Sequence, residues 1–244
     1  MAIDYEVRDG IAYISFCRPE KHNALRDEDI ADLGRALHRL DREDDALIAI
    51  LSGQGRSFSS GADVKERLQQ SVDEGDASAR TNETDVFFHC RNWKPVIAAV
   101  HGYCLGHALG TALHCDVMVA ARNAVFQATE IAIGLPSSGI WRRLSGRPGF
   151  ANEVCLTGRM FDAEEAWTAG MLGRLVDVGE HLVTAEQIAR QILNNPQAGV
   201  REQVRIRRSL IAEETARIRS ITGGFRWLAD VEARDKIAEK MVKR

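Results

Sequence analysis

Residues 95–115 read Pro95-Val-Ile-Ala-Ala-Val-His-Gly-Tyr-Cys-Leu-Gly-His-Ala-Leu-Gly-Thr-Ala-Leu-His-Cys115, without an acidic residue, lysine or arginine. The length approaches the ~20 apolar residues of a bilayer span. Gly102, Gly106 and Gly110 also fall at the G-x-x-x-G spacing of packed membrane helices. His101, His107 and His114 interrupt the run, however, and no apolar flank extends it. The stretch therefore reads as a buried strand, Val96–Val100, then a glycine turn and a closely packed helix from about Gly106.

The same alternation extends in both directions. Ile11–Phe16 reads as a strand ending at Arg18-Pro19. From Asp27, Ile30, Leu33, Leu37 and Leu40 recur at helical spacing, and 47–51 is a continuous apolar run closed by Ser52-Gly53. Strand, helix and buried strand in succession indicate a βαβ unit. A polar stretch running to about Asn82 reads as a mobile surface segment, followed by a helical piece near 85–93. Val117–Ala121 is a further strand. Asp162-Ala-Glu-Glu165 and Thr184-Ala-Glu-Gln187 each read as the start of a helix. Beyond Pro196 the chain is helical and arginine-rich, which divides it into an α/β core, 1–195, and a helical C-terminal region, 196–244.

At 244 residues the chain is long enough to bury a core without disulfides or metals. A net charge of −3 leaves no basic footprint for nucleic acid or a membrane surface. Five cysteines form no C-x-x-C pair, and the opening residues lack a secretory leader, so a soluble protein of the reducing cytoplasm is expected.

Several chemistries can be set aside. Gly53-Gln-Gly55 follows a strand, but the third glycine position is Phe58 and no Gly-Lys-Ser/Thr follows, so a simple turn is the better reading. No G-x-S-x-G elbow is present, and the histidines do not fall at zinc-site spacing. Two segments carry more. Ser59-Ser-Gly-Ala-Asp63 follows a buried strand, and Leu105-Gly-His-Ala-Leu-Gly110 turns another into a helix. Main-chain N–H groups from two such turns, converging on one oxygen, make an oxyanion hole. Spacing alone favours the plainer reading, two glycine turns needed for packing. Glu130 lies in the mostly apolar 125–134. Two readings of it are open: a desolvated acid–base group, or a buried glutamate tied to a backbone donor or to an arginine such as Arg142.

Together these segments resemble the crotonase (enoyl-CoA hydratase/isomerase) superfamily over nearly the whole chain. Arg18-Pro-Glu-Lys-His-Asn-Ala-Leu25 looks like its N-terminal signature, and Ser57-Phe-Ser-Ser-Gly-Ala-Asp63 like its first oxyanion loop. Lys94-Pro-Val-Ile-Ala-Ala-Val-His-Gly102, with the glycine turn and Cys115-Asp116, is similar to its second. Leu156-Thr-Gly-Arg, Asp162-Ala-Glu-Glu-Ala166 and Ala169-Gly-Met-Leu resemble the approach to its C-terminal helices. The resemblance implies a crotonase-like α/β spiral of ββα units with a C-terminal α-helical trimerisation region, assembled as a homotrimer or dimer of trimers. It also implies an acyl-CoA thioester substrate, with CoA as part of the substrate and no metal or redox cofactor. The thioester oxygen would sit on the N–H groups of Ala62 and His107, with Glu130 as catalytic residue. Gly61, Asp63, Gly106, Gly110, Ile140 and Trp141 would line the substrate site.

Departures from the family pattern bear on the reaction. Hydratases of this family carry two glutamates; the second matches Glu130, but the first maps to Gly110. Isomerase-like chemistry is therefore favoured over efficient hydration. The alternatives are a CoA-ester decarboxylase or hydrolase, or a catalytically silent acyl-CoA-binding protein. His107 stands where a small residue is usual; its imidazole either enters the acyl pocket or, on the favoured reading, only narrows it or packs away. Ile140 and Trp141 replace smaller residues and are expected to reshape the acyl site. Arg201, Arg205, Arg207, Arg208, Arg217 and Arg219 alternate with Glu202, Glu213 and Glu214 and read as a solvated helix face. The ending at Lys243-Arg244 falls short of the usual family length, so an element closing over the CoA adenine is expected to be missing.

Overall fold

The computed structural model describes residues 2–63, 92–133, 136–144 and 146–222. The expected mobile segment, the helical piece over 85–91 and the Lys243-Arg244 ending lie outside the described residues. Strands β1 (Ile3–Arg8) and β2 (Ile11–Phe16) form an antiparallel hairpin, followed by helix α1 (Asp27–Arg42) and strand β3 (Ile48–Gly53). Then come β4 (Val96–Val100), β5 (Tyr103–Leu105), α2 (His107–His114), β6 (Val117–Ala121) and β7 (Val125–Gln127). A 3-10 turn, Glu130–Ile133, leads to α3 (Ser138–Arg143), α4 (Pro148–Thr157), β8 (Met160–Asp162) and α5 (Ala163–Thr168). β9 (Arg174–Val176), α6 (His181–Leu193) and α7 (Gln197–Thr222) complete the described chain.

The large sheet has the order β1-β2-β3-β4-β6-β9 and is parallel from β2 onward. Its central strands are apolar throughout because both faces are covered. One face carries Ile48, Ile50, Ile97, Ala99 and Val119 against Ala185 and Ala189 of α6. The other meets the main core, which includes Leu33, Leu37 and Leu40 of α1 and Ala108, Leu109 and Ala112 of α2. A second sheet, β5-β7-β8, stands beside it. Twice in succession the chain gives one strand to the large sheet and the next to the small one: β4 then β5, β6 then β7. The mixed α/β architecture and the βαβ unit β2–α1–β3 agree with the sequence reading. Among the described residues no helix is long and apolar enough to cross a membrane.

Beside the short strands β5, β7, β8 and β9, to which the sequence reading gave no assignment, three details differ from it. β1 was not anticipated, although Ile3-Asp-Tyr-Glu-Val-Arg8 alternates with the strand period and its first residue is buried. α6 begins at His181 rather than Thr184, whose N–H donates to the Glu180 carbonyl inside the first turn. The break that sets this start is the turn after Asp177, where the Glu180 N–H returns to the Asp177 carbonyl. The third difference concerns the arginines. Arg205 and Arg217 do face solvent, but Arg207 and Arg208 turn inward, and Arg208 is only 1% exposed. The side chain of Arg219 lies outside the described set.

The two inward arginines close the C-terminal end of α2, where the last carbonyls of a helix lack intrahelical donors. Arg207 donates to the carbonyls of His114 (3.0 Å) and Cys115 (2.9 Å), and Arg208 to His114 (2.7 Å). Asp116 pairs with both guanidiniums at 3.1 Å and accepts the Val96 N–H at 2.8 Å, tying α7 to the start of β4. Charge alternation could not reveal this, because it does not say which face of a helix meets orphan carbonyls. Replacing Arg208 with alanine strips a buried network of one member and is expected to lower the unfolding free energy by about 3 kcal/mol. Arg208→Lys should recover only part, since an ammonium cannot span the same acceptors. Urea unfolding tests this; an alanine variant within about 0.5 kcal/mol of the parent would contradict the structural role.

Candidate active site

The segment 18–25 acts as a template for the loop that follows β3. Asn23, buried and in the left-handed region at φ 55°, donates through its amide nitrogen to the carbonyls of Gln54 (2.9 Å), Ser57 (2.8 Å) and Phe58 (3.2 Å). Its amide oxygen accepts the Arg18 N–H at 2.9 Å, and its main-chain carbonyl accepts the Ser59 hydroxyl at 2.7 Å. Leu25 donates to the Gly61 carbonyl and accepts from the Asp63 N–H, both at 2.8 Å, so the peptides on either side of Ala62 are fixed. Asp63 itself pairs with Arg18 at 3.5 Å.

A second set of bonds ties this loop to β5. The Ser59 N–H donates to Tyr103 at 2.9 Å, and the Leu105 N–H donates to Ser59 at 3.1 Å. Gly61, at φ +88°, passes so near the next turn that a Cβ on it would lie 2.5 Å from the Leu105 carbonyl and 3.5 Å from the His107 nitrogen. Only glycine allows this approach. Gly106 is constrained likewise: at φ +51° it has Thr129 against it, and a Cβ there would lie 2.2 Å from the threonine hydroxyl oxygen and 3.6 Å from Glu130 Oε1. The Gly106 N–H donates to the Gln127 carbonyl at 2.8 Å, a bond set by the β5–β7 pairing. Gly61, Ala62, Gly106, His107 and Glu130 thus meet in one place, with His107 opening α2.

Glu130 opens the 3-10 turn and is only partly exposed. Burial raises its pKa, against the lowering effects of its own N–H, the Ser137 hydroxyl and the Thr129 N–H. The Ser137 hydroxyl oxygen lies 3.5 Å from Oε2. Arg142, one proposed partner, is ion-paired with Glu214. From α4 the titratable Cys155 faces Glu130; burial and that carboxylate push its thiol up to about 11, which keeps it protonated.

A family model described as enoyl-CoA hydratase/isomerase matches residues 6–239. The chain belongs to this family. It is 36% identical over 195 residues to a probable peroxisomal enoyl-CoA hydratase 1 of Arabidopsis thaliana, covering 78% of this chain and 72% of the relative. The crystal structure of a probable enoyl-CoA hydratase/isomerase from Mycobacterium abscessus matches with a TM-score of 0.75 at 34% identity, over 84% of this chain and 80% of that one. An enoyl-CoA hydratase/isomerase from Pseudoalteromonas atlantica T6c shares the fold across 100% of this chain and 98% of its own, with a TM-score of 0.87 at 24% identity.

Three further candidate residues of this family member are Gly110, Ile140 and Trp141. Gly110 is buried within α2, and its carbonyl lies 2.7 Å from His114 Nδ1. Burial and neighbouring arginines push that imidazole down to about 3, so it is neutral and Nδ1 is the donor. Ile140 belongs to the main core, whereas Trp141 is half-exposed with its indole N–H on Asn152 at 2.6 Å. Among the described residues, no group of three or more histidine, cysteine, aspartate or glutamate side chains converges to hold a metal.

Sequence reasoning missed Asn23 and Ser137 as individual residues. Asn23 lay inside a quoted motif, but its three acceptors are 31 to 35 positions away. Replacing Asn23 with alanine leaves those carbonyls short of a donor and should cost roughly 2–3 kcal/mol of stability. Asn23→Asp, nearly isosteric but without the N–H groups, is expected to be worse, because a carboxylate would face three carbonyl oxygens. Equilibrium unfolding of both variants checks the ranking, and an aspartate as stable as the parent would refute the donor role.

Proposed function

We propose that the chain acts on an acyl-CoA thioester through an enolate, with the Ala62 and His107 N–H groups holding the thioester oxygen and Glu130 moving the proton. The observation that carries this reading is the convergence of the Gly61–Ala62 and Gly106–His107 peptides beside Glu130 Oε1. Chemistry next to a thioester places negative charge on its carbonyl oxygen, and each fixed donor stabilises that charge by about 3 kcal/mol. Because the donors are main-chain groups, histidine at 107 supplies the N–H as well as glycine would.

With glycine at 110, one carboxylate serves the reaction, and double-bond migration needs no more than one. Glu130 removes a proton from C2 of a 3-enoyl thioester, and the C–H electron pair passes through the enolate onto the oxygen. As that charge returns, the 3,4 double bond moves to the 2,3 position, and the same carboxyl group delivers the proton to C4. Hydration is the second reading, favoured by the relatives' names as hydratases. A homotrimer or dimer of trimers formed with the 196–244 region, and a cytoplasmic location, belong to the same proposal; exposed Leu156 and Leu210, at 72% and 61%, are consistent with surfaces covered in an assembly.

Incubation with a 3-enoyl-CoA in deuterated solvent should yield the 2-enoyl isomer with deuterium incorporated, and Glu130→Gln should slow this by at least ~100-fold. The glutamine variant should be no less stable, because it removes a partly desolvated charge. Since the base must be ionised, the wild-type rate should fall as pH drops through the pKa of Glu130, which burial raises from its ordinary value. Glu130-dependent water addition to a trans-2-enoyl-CoA that outpaces isomerisation would instead establish a hydratase and refute the argument from Gly110.

A further inference from the structure

We propose that Ser137 is a positioning residue that holds one carboxylate oxygen of Glu130, leaving the other to carry the proton; this rests on the reading of Glu130 given above. Ser137 occupies the N-cap of α3, where its carbonyl accepts the Trp141 N–H at 2.8 Å. A serine at that position ordinarily turns its hydroxyl oxygen to a first-turn N–H, satisfying one of the helix's orphan donors. Here it makes no side-chain cap bond. The hydroxyl lies instead within hydrogen-bond distance of Glu130 Oε2, at 3.5 Å, and the residue is only 7% exposed. A cap has been given up for a contact with the carboxylate, and for the stability of a six-residue helix that exchange gains little.

The two oxygens of Glu130 consequently have different surroundings. Oε2 faces the Ser137 hydroxyl, whereas Oε1 lies on the side of Gly106, next to the turn that carries the His107 nitrogen. A carboxylate with free rotation about its last torsion would present either oxygen to substrate. The Glu130 and Thr129 N–H groups also act on this carboxylate. Ser137 is the side-chain donor among them, and its contact with Oε2 biases Oε1 toward substrate, since long contacts in a substrate-free site shorten when substrate binds. The arrangement persists through the proton-transfer cycle. When Oε1 takes the proton, Oε2 remains a carbonyl-type acceptor for the same hydroxyl. The neighbouring Cys155 thiol stays protonated and does not compete. Position 110, as glycine, brings no carboxylate of its own, and the Ser137 hydroxyl is a side-chain donor that constrains Glu130.

Ser137→Ala is expected to lower kcat about tenfold with KM within about twofold, and to move the acid limb of the pH–rate profile upward, because the hydrogen bond favours the ionised form. Ser137→Thr, which retains a hydroxyl, should restore both. Melting temperature should scarcely change, since no cap bond is lost. A readout that does not need turnover is the infrared carboxyl band of Glu130, identified by its disappearance in Glu130→Gln; its titration midpoint should rise in Ser137→Ala. If Glu130→Gln is inactive while Ser137→Ala keeps the wild-type kcat, limb and midpoint, the Ser137 assignment is wrong and the Glu130 reading stands. If Glu130→Gln retains full activity, the Glu130 reading fails and takes the Ser137 assignment with it.

Discussion

The Asn23 carboxamide is the contact on which the site's geometry depends. The proposed oxyanion site is made of main-chain N–H groups and has no side chain of its own to steer it, so the path of the backbone decides its geometry. A free glycine-containing loop cannot hold such a path, because glycine has the most conformational freedom to lose. Asn23 restrains it by engaging the carbonyls of Gln54, Ser57 and Phe58, while its neighbours fix Ser59, Gly61 and Asp63. The asparagine tolerates its own left-handed backbone better than most residues would. One buried amide thus fixes the path of a loop that would otherwise be free.

The other half of the site is held at both ends of α2. At the N-terminus, Gly106 is seated by the Gln127 carbonyl and by Thr129; at the C-terminus, Arg207 and Arg208 take up the last carbonyls. Positive charge at that end also suits the helix dipole. An eight-residue helix is stiff, so restraint at one end is felt at the other. The C-terminal helix α7 is therefore tied, within a single chain, to the helix that His107 opens, quite apart from any role in assembly.

Much of this was legible in the sequence because it rests on local pattern. The apolar runs of β3, β4 and β6, the period of α1, and the Asp162–Glu165 capping box all appear where their residues placed them. Less legible were the features in which a side chain's partner is distant in sequence. Asn23 is polar and lies in a loop, Arg207 and Arg208 sit among alternating charges, and Ser137 is a small polar residue after a proline. In each case the meaning comes from what the fold sets opposite. β1 is the exception, a local alternation that was present but not recognised.

The pairing of β5 with β7 sets Leu105 opposite Gln127, one residue before Gly106 and three before Glu130. This register works as a ruler, since Glu130 and the Gly106–His107 turn are placed by counting from the same pair. Insertions and deletions in the family should then be tolerated unevenly. The turn around 122–124 lies between the strands and can change length while the pairing persists. A single residue added between 127 and 130 would carry the carboxylate away from the turn while leaving the fold intact. Length variation among homologues can thus be sorted into changes that keep the Glu130–Gly106 approach and changes that break it, by position relative to Gln127 and Glu130 alone.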